Sequence, residues 1–306
     1  MALTLAEAAK LTQDVLLQGV IETIIIESAV LRYLPFMTLN GNSLRYNDEA
    51  TLGNADFYAV GDTWTESSAT FNERTANLTI LGGDADVDQF LQQTYSNTNN
   101  LRAIVIEKKS KAMAQAFNLN FFAGDASVNP KQFSGLKKIA GAVANALTGY
   151  TASVRAASNG ANGATLTADT MDSLVDAIKP GKPDVLFMSK RTRRKLSSLR
   201  RASGNIAETG VNQFGQRVMM WDGIPIEVDE NLPDNETQGT SNDCSSIYAV
   251  KFGALTGICG LQNGGISVVP IGNLETKDAW RTRIKWYVGL ASFNALSLAR
   301  LAGVRD

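Results

Sequence analysis

No histidine occurs anywhere in the 306 residues. Its absence removes Ser-His-Asp and Cys-His catalysis, His-ligated zinc and the commonest general base at neutral pH. Cysteine is almost as scarce. Cys244 and Cys259 stand far from the close pairs that zinc and redox sites need, and so low a count suits a reducing compartment. Net charge is missing too, at −1, so nothing global draws the chain to nucleic acid or to an anionic membrane. The apolar run at 24–26 lies between Glu22 and Glu27, far short of the ~20 residues that span a bilayer. Residues 1–10 carry Glu7 and no basic start, so no secretory signal is expected and the chain reads as a soluble intracellular protein. Internal repeats and low-complexity tracts are absent. What remains is 44% hydrophobic and 19% charged, enough apolar content for a sizeable core in one large domain or two smaller ones.

Leu11, Val15, Leu16, Val20 and Ile24 recur near helical spacing and predict an amphipathic helix over the first thirty residues. Pro35 ends that region, and Asn40-Gly41-Asn42 marks a turn. From Ser43 the period becomes two. Leu44 and Tyr46 alternate with Arg45 and Asn47, and later Ala76, Leu78 and Ile80 alternate with Thr75, Asn77 and Thr79. Between these arms, 48–70 holds the turn-prone Gly53, Asn54, Gly61 and Asp62 with the aromatics Phe57, Tyr58 and Trp64. Stretches of that length are usually functional or floppy. Arms extended over ~18 residues would reach ~60 Å at ~3.3 Å per residue, whereas a compact chain of this length has a radius of gyration of ~19 Å. Such a hairpin has to protrude, and its aromatics then need another subunit to cover them.

Residues 96–122 predict a long helix, ~40 Å at 1.5 Å per residue. Ser96 or Thr98 would cap it, Leu101, Val105, Ala112, Ala116 and Leu119 would share its apolar face, and Gly124 would stop it. Residues 142–163, rich in Ala, Asn, Gly and Ser, read as loop. Thr167 then caps a helix with Met171, Leu174, Val175 and Ile178 at i, i+3, i+4 and i+7, ended by Pro180-Gly181. Residues 185–188 make a buried strand, and Ser189 opens a helix holding Leu196 and Leu199. Asp222-Gly223 between 218–221 and 224–228 is a tight-hairpin signal. Residues 247–250 form another strand, and Ile284, Trp286, Val288 and Leu290 alternate with polar neighbours along a long half-buried one.

Chemical motifs are few. Gly181-Lys182 lacks the upstream glycine of a phosphate loop, and 257–265 does not fit the dinucleotide fingerprint. Asp84, Asp86 and Asp88 share the opening spacing of a calcium loop, yet Gln89 and Tyr95 occupy its glycine and closing-glutamate positions. Neither a cofactor nor a metal is therefore expected. Carboxylates are scattered and no nucleophile has a credible base, so an enzyme is not expected either. The strongest charge feature is the basic run Lys190, Arg191, Arg193, Arg194, Lys195, Arg200 and Arg201. Two readings stay open: contact with nucleic-acid phosphates, or a helix face that is solvated or pairs with carboxylates of a neighbouring subunit.

Several stretches follow one another in a specific order: LRYLPF at 31–36 with NGNSLRY at 40–46, LTILGGDADVDQFL at 78–91, FAGDASVNPKQFSGLKKI at 122–139, PDVLFMS at 183–189, FGQRVMMWDGIPIEVDENL at 214–232, IYAVKFGALTGICGL at 247–261, and 279–304. Together they resemble the major capsid proteins of tailed phages, whose Hong-Kong-ninety-seven-like fold is shared with encapsulins. The resemblance implies an α+β fold: an N-terminal arm (1–42), an extended β-hairpin loop (43–82), a peripheral domain with a long spine helix (83–139), a mixed α/β axial domain (140–268) and a closing peripheral strand (269–306). It further implies self-assembly into the pentamers and hexamers of an icosahedral shell around double-stranded DNA, bound without sequence specificity. The protein would reside in the virion after assembly in the host cytoplasm, with no membrane partner and with room for separate scaffolding, portal and cement proteins. By analogy the extended loop lies over an adjacent subunit, where Phe57, Tyr58 and Trp64 are the expected contacts, and the basic helix sits near the capsomer interior or its axial contacts.

One departure matters. Some family members crosslink a lysine of this loop to an asparagine on a neighbour, but 43–82 contains no lysine, the first after Lys10 being Lys108. No such bond is expected here. Two rival readings remain: an encapsulin-like nanocompartment, and a nucleic-acid-binding protein working through the basic helix 190–201.

Overall fold

The computed structural model describes residues 28–51, 53–95, 101–142, 156–158, 161–202, 209–211, 215 and 217–305. The helix expected before Ser28, the caps Ser96 and Thr98, and most of the 142–163 loop lie outside these residues. Two sheets and one long helix organise the rest. The smaller sheet has four strands in the order Phe36–Thr38, Ile258–Asn273, Ala279–Ser292 and Thr79–Asp88. Its long strand Ala279–Ser292 realises the expected alternation: Ile284, Trp286 and Val288 are buried, while Arg283 is exposed and Lys285 and Tyr287 half-exposed. The buried side chains face helix Leu101–Ala123, where Phe117 meets Trp286 at 5.2 Å between ring centroids.

That helix buries a different stripe from the one expected. Ile106, Ser110, Met113, Ala114, Phe117, Phe121 and Phe122 point inward, whereas Leu119 is exposed. Apolar residues run nearly all round the helix, so spacing alone could not pick out the face. Gly124 ends it, as expected, by close approach. Gly124 N–H donates to Asn120 O at 2.9 Å and Gly135 N–H to Gly124 O at 2.8 Å. A Cβ on Gly135 would lie 2.3 Å from Asn120 O, so the returning chain can only be glycine there.

The larger sheet runs Ala156–Ser158, Leu298–Arg305, Ser241–Val250, Val185–Met188, Ile224–Val228, Arg217–Trp221 and Thr209–Val211, with Glu236–Gln238 and Ala164–Thr165 joined at its margin. Val185–Met188 is buried on both faces. Val185 and Phe187 join the core around Phe121, Phe122 and Tyr248 on one side. Leu186 and Met188 pack on the other with Met171, Leu174 and Val175 of helix Ala168–Asp176 and Leu196 of helix Lys190–Ala202. Each fully buried apolar side chain contributes about 1.5–3 kcal/mol. Local chemistry sets the boundaries: Thr167 Oγ1 accepts from Thr170 N–H at 3.3 Å, Ser189 Oγ from Thr192 N–H at 3.3 Å, and Asp222 (φ 50°) with Gly223 (φ 77°) makes the tight turn.

The boundary expected at 268/269 does not coincide with a change of sheet. Ile258–Asn273 already belongs to the smaller sheet, and Leu298–Arg305 returns to the larger one, between Ala156–Ser158 and Ser241–Val250. Leu298–Val304 is buried on both faces there apart from Arg300.

Candidate assembly surfaces

Among the described residues Ser43–Thr51 and Thr70–Asn77 pair only with each other, in the register Ser43↔Asn77 and Leu44↔Ala76. The root of this hairpin is held. Leu44, Tyr46, Ala76 and Leu78 pack with Leu39, Leu261, Ala291 and Phe293, and the Tyr46 and Phe293 rings lie 4.9 Å apart. Beyond the root, every residue from 53 to 73 is exposed except Tyr58. The paired arms span nine and eight residues, ~30 Å at ~3.3 Å per residue. The paired part covers half of the ~18 residues per arm considered from the sequence, because pairing stops where the turn-prone 53–69 begins.

Those turn residues still build a defined tip. Tyr58 stacks on Trp64 with ring centroids 4.4 Å apart, and the Tyr58 hydroxyl accepts from Thr65 N–H at 3.2 Å. Asp62 Oδ2 accepts from Ala59 N–H at 2.6 Å across a turn that Gly61 (φ 95°) permits. Of the three expected contact residues, Tyr58 is thus half-covered by its neighbour, Trp64 remains 78% exposed and Phe57 is fully exposed. Val60, also fully exposed, and Phe71 complete the apolar surface. Neither stands in an aromatic cluster, so the sequence alone does not single them out. Around them the limb carries Asp48, Glu49, Asp56, Asp62, Glu66 and Glu73 against Arg45 and Arg74.

The basic helix Lys190–Ala202 buries Thr192 and Leu196 and turns its charge outward. Lys190 pairs with Glu230. Arg191 Nη2 donates to Asp243 O at 2.7 Å, and Arg191 Nε lies 3.5 Å from Asp234 Oδ1. Arg200 lies over the Trp221 ring at 4.7 Å. Lys195 is half-exposed, and Arg193, Arg194 and Arg201 are exposed. Among the described residues no carboxylate pairs with these four.

The aspartates that resemble a calcium loop are otherwise engaged. Asp84 and Asp86 pair with Arg283 and Arg281, and Asp88 Oδ1 accepts from Phe90 N–H at 2.9 Å, opening helix Gln89–Tyr95. Among the described residues no group of three His, Cys, Asp or Glu could hold a metal. The cleft of about 540 Å³ beside the limb root is lined by Arg74, Phe133, Lys138 and neighbours, with no carboxylate or cysteine to serve as base or nucleophile. No helix among the described residues is long and apolar enough to cross a membrane.

The chain thus combines a self-paired limb with an uncovered apolar tip, a long helix packed against both sheets and an outward basic helix. The model of the phage capsid family matches residues 9–292. The chain belongs to that family. Solved structures agree on the fold. The SrpI encapsulin of Synechococcus elongatus PCC 7942 superposes with a TM-score of 0.67 at 18% identity, covering 90% of this chain and 86% of that one. The capsid of an empty GTA particle gives 0.65 at 15% identity, with 91% and 90% covered. Microbacterium phage Oxtober96 gives 0.63 at 15%, with 91% of each chain covered. No curated protein matches by sequence. This phage capsid protein therefore shares one α+β fold with capsid subunits and with an encapsulin.

Proposed function

We propose that this chain is the major capsid protein of a tailed bacteriophage. Its copies would assemble into the pentamers and hexamers of an icosahedral shell around double-stranded DNA, in the host cytoplasm and then in the virion. The observation that carries the reading is the limb. Phe57, Val60 and Trp64 stand uncovered at the end of a hairpin anchored only at its root, and apolar side chains so placed are stabilised by a partner's surface. Repeated contacts then sum to a stable closed shell, since symmetry multiplies each modest interface. The work is containment, so no catalytic role is assigned. Separate scaffolding, portal and cement proteins fit this role as further partners.

Expression followed by electron microscopy tests the reading. Closed shells are expected; a chain that stays monomeric at every protein and salt concentration would contradict it. The likeness to an encapsulin, at a TM-score of 0.67, favours a second reading, a nanocompartment shell. Cargo separates the two, because DNA inside purified particles supports the virus and an enzyme inside supports the compartment.

A further inference from the structure

We propose that helices Ala168–Asp176 and Lys190–Ala202 are the two halves of a head-to-tail contact, the acidic helix of one copy docking on the basic helix of the next. The inference rests on the shell reading above and names one surface through which adjacent copies meet. Asp169, Asp172 and Asp176 stand at i, i+3 and i+7 on the first helix, all exposed, with no cation in that helix. Their one polar side-chain contact among the described residues is the Trp221 indole, whose Nε1–H donates to Asp172 Oδ1 at 2.9 Å. On the second helix Arg194 and Arg201 share the outward stripe at i and i+7, flanked by Arg193.

Both helices pack on the same face of the larger sheet. Trp221 marks how near they lie, its edge on Asp172 and its face under Arg200 at 4.7 Å. Among the described residues Asp169, Asp172 and Asp176 thus stand beside Arg193, Arg194 and Arg201 with no ion pair between the two sets. Part of each helix's charge suits its own dipole, since Asp169 stands in the first turn of one and Arg200 and Arg201 in the last turn of the other. The rest does not. Asp176 occupies the last turn, where the helix dipole disfavours a carboxylate, and Lys190, Arg191 and Arg193 crowd a first turn that holds no acid. Local stability leaves Asp176 and Arg193 unexplained, whereas a complementary surface on another copy accounts for them.

A polyanion fits less well. Phosphates approaching Arg193, Arg194 and Arg201 would meet the three aspartates on the same layer, and like charges repel there. A contact in which each copy offers its acidic helix to one neighbour and its basic helix to the other is head-to-tail, and it closes into a ring when the rotation between copies allows. Exposed pairs of this kind mainly speed and orient docking and weaken with salt.

The test uses charge reversal in the full chain. Arg194→Glu with Arg201→Glu, and separately Asp169→Arg with Asp176→Arg, should each cut particle yield about tenfold while circular dichroism and melting stay those of the unaltered chain. Co-expressed, the two variants should recover rings of six but not of five, because two chain types alternate only around an even ring. An in-chain role for these charges could not be rescued by mixing. A mixture that fails to form rings, or a variant that assembles normally, overturns the proposal. Normal shells of the arginine variant that no longer retain DNA would assign the helix to phosphates and overturn it as well. If a double variant does not fold, Arg194→Gln and Asp176→Asn should each make assembly less sensitive to salt, and an unchanged sensitivity overturns the contact. Failure of the unaltered chain to assemble would remove the shell reading itself and this contact with it.

Discussion

Arg281 grips Asp86 across two adjacent strands with two parallel hydrogen bonds, Nε to Oδ1 at 2.6 Å and Nη2 to Oδ2 at 2.7 Å. Two positions along, Arg283 holds Asp84 in the same way at 2.7 and 2.9 Å, and Lys277 adds a bond of 2.7 Å to Asp86. The outward face of the smaller sheet is thereby a ladder of matched charges, and aspartates that resembled metal ligands serve as strand clamps.

The clamps should tie stability to pH. Hydrogen bonds from Arg281 and then Lys277 hold Asp86 far below the ordinary carboxylate range, and the bond from Arg283 lowers Asp84. With folded values below the unfolded ~3.9, this support is complete above about pH 4 and is lost as pH falls through the folded values. Replacing both aspartates with asparagine should lower the melting temperature by a constant amount between pH 5 and 7. The deficit should shrink steadily from pH 4 to pH 2; thermal melts showing an equal deficit throughout would refute the linkage.

Glu236 makes a second, more buried knot. Its carboxylate takes Lys137 Nζ at 2.8 Å and Arg300 Nη2 at 3.1 Å, and also accepts from the Ser246 hydroxyl. Burial raises its pKa, but these partners outweigh burial and the net direction is down. Truncating it to alanine strands the Arg300 charge beside Tyr248, an uncompensated charge that costs about 3 kcal/mol. Urea unfolding measures this, and a loss under about 1 kcal/mol would mean the pair is solvated as at an ordinary surface.

How far the sequence foretold the fold depends on the range of the interaction. Features made by neighbours in the chain were legible: the Thr167 cap, the Ser189 start, the Asp222-Gly223 turn and the alternation through Trp286 all follow from side chains a few residues apart. Features made at long range were not. Arg281 and Asp86 are 195 residues apart, and nothing local joins them. The inward stripe of Leu101–Ala123 was hidden because apolar residues surround that helix, and only the two covering sheets select Met113 and Phe117 over Leu119. At the tip the aromatics drew notice, but the Tyr58–Trp64 stack that leaves Phe57 and Val60 at the apex needed coordinates. The acidic stripe of Asp169, Asp172 and Asp176 gained meaning only once Trp221 brought it beside the basic helix.

Trp64 should matter to assembly and hardly at all to folding. Its ring touches Tyr58 and otherwise faces solvent, so Trp64→Ala should change unfolding free energy by no more than about 0.5 kcal/mol. As an interface anchor the same ring should be worth about 2 kcal/mol or more, about thirtyfold in association. Sedimentation and electron microscopy of the variant would reveal folded subunits with few particles. Unaltered particle yield would remove the tip from the contact.

Covalent reinforcement of the shell through this limb is a separate matter, decided by chemistry rather than by fit. An isopeptide bond between side chains needs a lysine amine, and 43–82 offers only Arg45 and Arg74 as basic groups. A guanidinium keeps its proton at any physiological pH and is not a usable nucleophile there. Boiled particles on a denaturing gel should therefore run as one band at the mass of the single chain, and denaturant should take the shells apart to soluble subunits. Ladders at multiples of that mass would show that a lysine outside the limb, such as Lys108 on the long helix, supplies a covalent bond between copies.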